Sequence, residues 1–321
     1  MKRPKLLVVG SLVLDLTVTT SIFPRSGETV LGDRFETAPG GKGANQAVQA
    51  ARLGADVAMV GRVGADPFGD QLLQSMTEAG VDISHVKRTP GVHTAVGNIL
   101  LEPFGEGGVM NRIVVVPGAN MALTPEDVGF LEEGIGQYDM VLLQLEIPME
   151  VNRAVAGYAY RRQVPVMLNP APYAPLDGGL LEILTYLSPN EHEFAALAGR
   201  HFPGKDAMLK AAGELQKKGV KNVLITLGEQ GALLLPSGRD PIQIAAVDVG
   251  KAVDPTAAGD SFIGAFCTAA AAGLEQSDAL AFASCAAALT VSKAGAQPSL
   301  PVLEEVKSLM ERRGISTGRP Q

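Results

Sequence analysis

The sequence predicts an α/β fold: a doubly wound, mainly parallel sheet with helices on both faces, accompanied by a small β-sheet that acts as a lid. Three observations predict it. First, short apolar runs without polar alternation recur along the chain, among them KLLVVGSLVLD, DVAMVGRVG, YDMVLLQLE and PVMLNPAP. Strands apolar on both faces belong in a parallel sheet covered by helices. Second, segments of helical period lie between them, such as GANQAVQAARLG closed by Gly54, FGDQLLQSMTEAG closed by Gly80, and EVNRAVAGYAYRRQ. The alternation continues from ILTYLSPNE through EHEFAALAG, and from AAGELQKKG to NVLITLGEQG. It is the signature of right-handed crossovers between parallel strands.

The third observation is where the rhythm breaks. Residues 16–39 carry Thr, Val and Phe at near-alternating spacing, and residues 92–118 read as a hairpin around a Gly105–Gly108 loop. Neither has a helical period, so both are expected as strands of the small sheet. Placed beside the strand ends of the main sheet, they are expected to cover a ligand. The expected division is therefore 1–15, 40–91 and 119–315 for the α/β body, 16–39 and 92–118 for the lid, and 316–321 for a frayed tail.

Composition excludes several function classes. The formal net charge is −7 and no run of Lys or Arg forms a basic patch, so nucleic acid is not an expected partner. A small anionic ligand must then be held by local backbone amides. The longest apolar runs, near 261–274 and 279–291, are shorter than the roughly 18 residues a membrane span needs. The opening MKRPKLLVVGSLVLD has a basic start and an apolar run, but Asp15 stands where a secretory cleavage site would be, so a first buried strand is expected. Cys267 and Cys285 lie in Ala-rich stretches without metal-type spacing to any His, as buried reduced thiols of a cytoplasmic protein would.

Four motifs carry candidate chemistry. In VDPTAAGDSFIGAFCTAAAAG, Ala257, Ala258 and Gly259 lead into a long apolar helix expected to begin near Asp260. The first amides of a helix lack intrahelical partners and, with its dipole, form an anion site that tiny side chains leave open. Asp260 then stands at the mouth of that site, either as a reactive carboxylate or as a helix N-cap. In APGGKGANQAVQAARLG, Gly40, Gly41 and Gly43 allow either close approach to a ligand or tight packing of the loop itself; it is not a Walker A loop, since no Ser or Thr follows Lys42. In LSPNEHEFAALAG, Asn190, Glu191 and Glu193 cluster at a strand-to-helix corner, where they either favour Mg²⁺ through water or enrich a helix start in acids. In VLITLGEQGALLL, Gly228 and Gly231 follow a buried strand, either bordering a nucleotide or turning a hairpin.

Taken together and in this order, from LLVVGSLVLD to KAGAQPSLP, these motifs resemble the ribokinase-like carbohydrate kinase family, whose two signatures GGKGANQA and DPTAAGDSF match. The resemblance implies an ATP-dependent sugar kinase, with ATP, Mg²⁺ and activating K⁺ as cofactors; separately, the strand-like alternation in 16–39 and 92–118 leaves a thin sheet whose second face needs a cover, so two lids are expected to pair into a homodimer. It implies Asp260 as general base, with Ala257, Ala258 and Gly259 forming the anion hole. Asp15, Gly41, Lys42, Asn45 and Glu146 would line the sugar, and Gly97, Ile99 and Val115 would cover it. Asn190 and Glu193 would sit near the phosphates and Mg²⁺, Glu193 through water, while Thr226, Gly228, Gly231 and Ser284 would border ATP. Asp254 and Ser299, with carbonyls of Thr256, Thr290, Lys293 and Gly295, would hold K⁺.

The chain departs from the family at one point. The family reads Gly-Ser-x-Asn-x-Asp at the end of the first strand, and this chain has Val13 in the Asn position. A buried sugar hydroxyl facing Val13 loses a partner, at about 1–3 kcal/mol. The expected acceptor is O5 of a pentose, ribose first, with 2-deoxyribose as the alternative and a nucleoside or hexose kinase behind it. A non-catalytic sugar-binding protein is the reading from a different class; the anion hole with its carboxylate speaks against it.

Overall fold

A computed structural model describes residues 3–104 and 108–315. Among the described residues, thirteen strands form two sheets. The larger has nine strands in the order β13–β12–β11–β10–β9–β8–β1–β4–β5. They are β1 (Lys5–Val9), β4 (Asp56–Gly64), β5 (Asp82–Thr89), β8 (Met140–Gln144), β9 (Val166–Asn169), β10 (Tyr186–Leu187), β11 (Asn222–Thr226), β12 (Ala232–Leu235) and β13 (Ile242–Ile244). From β5 to β11 the pairing is parallel; only β12 and β13 run antiparallel, at one edge. The expected mainly parallel sheet is thus observed.

Both faces are covered. In β1, Leu6 and Val8 join a core with α1 (Lys42–Arg52), α2 (Pro67–Glu78), α6 (Ala258–Ala271), α7 (Gln276–Val291) and α8 (Leu303–Arg312). Leu7 and Val9 point the other way, into a core with α3 (Met149–Arg161), α4 (Glu191–Ala198) and α5 (Lys205–Lys217). This period of two on a strand buried on both sides is the physical content of the apolar runs. Small residues set the distance between α1 and α6: a Cβ on Gly264 would lie 2.9 Å from the Gln46 carbonyl oxygen. That close approach brings the start of α1 beside the start of α6. None of the described helices is long and apolar enough to cross a membrane, and Cys267 and Cys285 are buried free thiols.

The smaller sheet has the order β3–β2–β6–β7, from β2 (Val13–Thr19), β3 (Arg34–Gly40), β6 (Ala95–Phe104) and β7 (Gly108–Val116). It begins earlier than expected. The run 5–15 is two strands: the chain leaves the large sheet after Val9, and Val13, Leu14 and Asp15 already belong to the small one. Gly10 marks the exit, because a Cβ there would lie 2.0 Å from the Gln144 side-chain oxygen. Gly40 likewise closes β3 and does not open the α/β body. Strands β5 and β13 were not expected, whereas the antiparallel pair of β11 and β12 is the hairpin that VLITLGEQGALLL offers. Loop residues 105–107 and the tail 316–321 lie outside the described residues.

Candidate active site

The turn before α6 is built around Ala257, whose φ of +61° places a residue with a side chain in the left-handed region. It serves as the N-cap, and α6 begins at Ala258, two residues before the expected start. The Ala258 amide donates to the Pro255 carbonyl at 3.2 Å, and the first full α-helical bond runs from Ser261 N to Ala257 O at 2.8 Å. The amides of Gly259 and Asp260 lie ahead of it, and nothing from another element comes within 4 Å of a Cβ built on Gly259. Of the amides expected in the anion hole, that of Ala258 is therefore already engaged. Asp260 is only 7% exposed. Its carboxylate does not cap its own helix: Oδ2 accepts from Asn45 Nδ2 at 2.9 Å and Oδ1 from Gln46 Nε2 at 3.1 Å. The N-cap reading of Asp260 is thereby corrected.

Facing it is the start of α1. Gly41, with φ +92°, passes so close to β2 that a Cβ would lie 2.7 Å from Val13 N. No side chain at the N-cap closes this helix. Glu146, beyond the end of β8, does so instead, with Oε2 accepting from Lys42 N at 3.0 Å and from Ser11 Oγ at 2.5 Å. Ser11 Oγ in turn accepts from Gly43 N at 3.2 Å. Above lies Asp15, wedged between two glycines: Cβ atoms on Gly40 and Gly97 would fall 2.6 and 2.4 Å from its carboxylate oxygens. Burial, then the nearby Glu146 and Asp260, push the Asp15 carboxyl up to about 6. Burial alone would lower the Lys42 ammonium, but Asp260, Glu146 and Glu193 outweigh it and hold it above its ordinary value. Asp15, Lys42, Asn45, Glu146 and Asp260 thus form one cluster.

Register explains which small-sheet residues look at that cluster. Asp15 pairs with Gly97, which pairs with Val115, and Thr17 pairs with Ile99. Gly97, Ile99 and Val115 therefore share the face of Asp15. Val13 is two residues back on that face, 5% exposed, with Cγ1 3.9 Å from the Cβ position of Gly97.

The remaining expected residues fall into two further groups. Asn190 and Glu193 form a reciprocal cap at the start of α4, with Glu193 N donating to Asn190 Oδ1 and Asn190 N to Glu193 Oε2, both at 2.8 Å. Burial raises the Glu193 carboxyl, against the opposing Asn190 amide and Lys42. Thr226 bridges Asn190 and sends its amide to Pro189 O at 3.1 Å. Gly228 stands in open space, whereas a Cβ on Gly231 would lie 2.0 Å from the Ile244 carbonyl. The geometry thus accounts for Gly231 by its close approach to the end of β13. Ser284 is buried and donates to Ala245 O at 3.4 Å.

In the other group, Asp254 joins two segments, its Oδ1 accepting from Thr256 N and its Oδ2 from Gly295 N, each at 2.9 Å. Nearby, Thr290 O accepts from Lys293 N at 3.1 Å and Ser299 Oγ donates to Ala296 O at 2.7 Å. The Lys293 ammonium pairs with Glu305 at 2.7 Å. No three His, Cys, Asp or Glu side chains among the described residues are grouped to hold a metal.

Sequence reasoning missed Ser11, Gln46 and Gln144. Gln46 and Gln144 are wholly buried, and Gln144 Nε2 donates to Gln46 Oε1 at 2.7 Å. A faint signal existed for Gln46, a polar residue on the apolar, Ala-rich face of α1.

The profile of the pfkB family carbohydrate kinases matches residues 3–303. Ribokinase of Bacillus subtilis (strain 168) is 42% identical over 303 residues, covering 94% of this chain and 98% of that protein. Deoxyribokinase of Salmonella typhi is 33% identical over 299 residues, covering 93% of this chain and 96% of that one. Among solved structures, Arabidopsis thaliana ribokinase complexed with ribose and ATP superposes with a TM-score of 0.89 at 34% identity, covering 96% of this chain and 99% of that one.

Proposed function

We propose that this chain, which belongs to the pfkB family of carbohydrate kinases, transfers the γ-phosphoryl group of ATP to the O5 hydroxyl of a pentose, with ribose the first substrate. The carrying observation is the buried Asp260 carboxylate beside the open amides of Gly259 and Asp260, in one cluster with Asp15 and Glu146. The relatives named ribokinase, one of them solved with ribose and ATP, support the substrates.

In this reading Asp15 accepts hydroxyl protons of the sugar, and the Asn45 side-chain oxygen, buried without a partner, accepts another. Asp260 takes the O5 proton as attack develops, and the two amides hold charge on the transferring oxygens. Lys42 places its ammonium among the carboxylates and balances the charge that gathers there. Mg²⁺, when bound, neutralises phosphate charge. It keeps much of its water and phosphate coordination, so a site without a cluster of protein carboxylates fits it, with Asn190 and Glu193 nearest. K⁺ fits beside Asp254, whose carboxylate keeps lone pairs after accepting two amides. There it would order the loop before α6, with Ser299 and the carbonyls of Thr256, Thr290, Lys293 and Gly295. The small sheet would act as lid over the sugar. Its exposed Phe35 and Val114, 64% and 65% accessible on the face away from Asp15, favour pairing of two lids into a homodimer. Reduced buried thiols agree with a cytoplasmic enzyme.

The test is sugar-dependent ADP release over ribose, 2-deoxyribose, fructose, nucleosides and pseudouridine. Turnover with the pentoses is expected; none with any sugar overturns the reading. A 2-deoxyribose kinase is the second reading, favoured by apolar Val13 beside Asp15 and by the relative named deoxyribokinase. Val13→Asn should then shift the ratio of kcat/KM values toward ribose by about tenfold. An unchanged ratio removes that role for Val13.

A further inference from the structure

We propose that Gln46 is a positioning residue for Asp260, and that Gln144 in turn holds Gln46; this rests on Asp260 being the base. An ionised carboxylate only accepts, so the Nε2 end of Gln46 must face Asp260 Oδ1, at 3.1 Å. Its Oε1 end then faces Gln144 Nε2, at 2.7 Å. The polarity runs through both amides and leaves Gln144 Oε1 buried without a hydrogen-bond partner. The second proton of Gln46 Nε2 has Asn169 Oδ1 at 3.4 Å, itself oriented by donation from Asn169 Nδ2 to Ser188 O at 2.9 Å.

A packing role alone does not account for this chain of amides. An apolar side chain of similar size would fill both positions without an orphaned buried oxygen, which is costly. The Gln144 amide also requires Gly10, where a Cβ would lie 2.0 Å from Gln144 Oε1. What the relay achieves is to hold one oxygen of Asp260 while Asn45 holds the other at 2.9 Å. The carboxylate plane is thereby fixed before substrate arrives. Gln46 and Gln144 are both fully inaccessible, so they act on the reaction through Asp260 and not through sugar binding.

The experiment compares Gln46→Met, Gln144→Met and Asp260→Asn, singly and combined, by kcat, KM and thermal unfolding. Gln46→Met should lower kcat about 10–100-fold, as displaced catalytic groups do, with both KM values within about twofold. Gln144→Met should have a smaller effect, less than additive with Gln46→Met. In the Asp260→Asn background, Gln46→Met should change the residual rate less than twofold. Gln46→Glu keeps the shape but replaces the donor by an acceptor, and should lose at least as much kcat; it serves if Gln46→Met does not fold. A folded Gln46 variant with kcat within twofold of the parent overturns the inference, as does an equal loss in the Asp260→Asn background. If Asp260→Asn itself keeps parental turnover, the base assignment fails, and the inference with it. If Asp260→Asn is inactive while Gln46→Met is not, the inference fails alone.

Discussion

Asp127 and Asp15 are both carboxylates taken largely out of water, and the chain treats them in opposite ways. Asp127, 7% exposed, accepts from Arg62 Nε and Nη2 at 2.8 Å each, from Lys87 Nζ at 2.9 Å and from Thr124 N at 3.0 Å. Burial works to raise it, but these donors outweigh burial and hold it at about 2. Asp15 accepts no hydrogen bond from the described residues. Its flanking positions are glycines, and its charged neighbours Glu146 and Asp260 join burial in pushing it up to about 6. In the proposed function the difference separates a structural carboxylate from one kept for a ligand. A buried charge with all its partners supplied belongs to the fold. A buried charge denied them is a local cost, which the proposed function relieves with the hydroxyl donors of a sugar.

The comparison is most easily broken at Asp127. Asp127→Ala leaves the Arg62 guanidinium, 18% exposed, without its partner. The expected loss of stability is about 3 kcal/mol, read by urea unfolding, with kcat/KM of the folded protein within twofold of the parent. A loss under about 1 kcal/mol would remove the contrast.

Asp15→Asn probes the other side. The KM for ribose should rise at least about tenfold, or roughly 1.4 kcal/mol, while ATP affinity holds. Unliganded stability should move the opposite way. The folded-state value near 6 exceeds the ordinary 3.8, so the folded chain holds this proton more tightly than the unfolded one. Asp15 therefore costs nothing below about pH 4, and stability falls as pH rises from about 4 to about 6. At pH 8, Asp15→Asn should be the more stable protein by about 1–2 kcal/mol, after allowing for solvent screening. Destabilisation at pH 8 would contradict the assignment.

The smallest effect is on pH dependence. Ionised Asp15 accepts hydroxyl protons at both oxygens and more strongly, whereas protonation turns one oxygen into a donor, so the sugar KM of the parent should rise about threefold to fivefold between pH 8 and pH 5.5. Asp127 contributes stability that is present above about 4 and lost between about 4 and 2, so it adds nothing to that window. A flat KM would place the Asp15 ionisation elsewhere.

Local signals in the sequence were legible, and signals that depend on distant contacts were not. DVAMVGRVG became β4 with the same ends, because seven of its nine residues are buried, on both faces, and carry their own pattern. GGKGANQA and DPTAAGDSF placed the starts of α1 and α6 to within a few residues, since small residues and helix termini are written locally. The break after Val9 was hidden, because Gly10 is required by Gln144, 134 positions away. The relay from Gln144 to Gln46 spans 98 positions and has no periodicity to betray it. Asp15 was singled out only by resemblance; what raises it is burial, then Glu146 beyond the end of β8 and Asp260 in α6, none of them visible around position 15.

The most direct test of the whole account is where the phosphoryl group goes. Ribose labelled with carbon-13 at carbon 5 is incubated with the parent protein, ATP, Mg²⁺ and K⁺, and the product is read by phosphorus and carbon NMR. The account predicts one sugar phosphate, formed in step with ADP, whose phosphorus couples to the labelled carbon, and no such product with Asp260→Asn. Phosphorus on another hydroxyl, inorganic phosphate alone, or the same product at the parental rate from Asp260→Asn would contradict it.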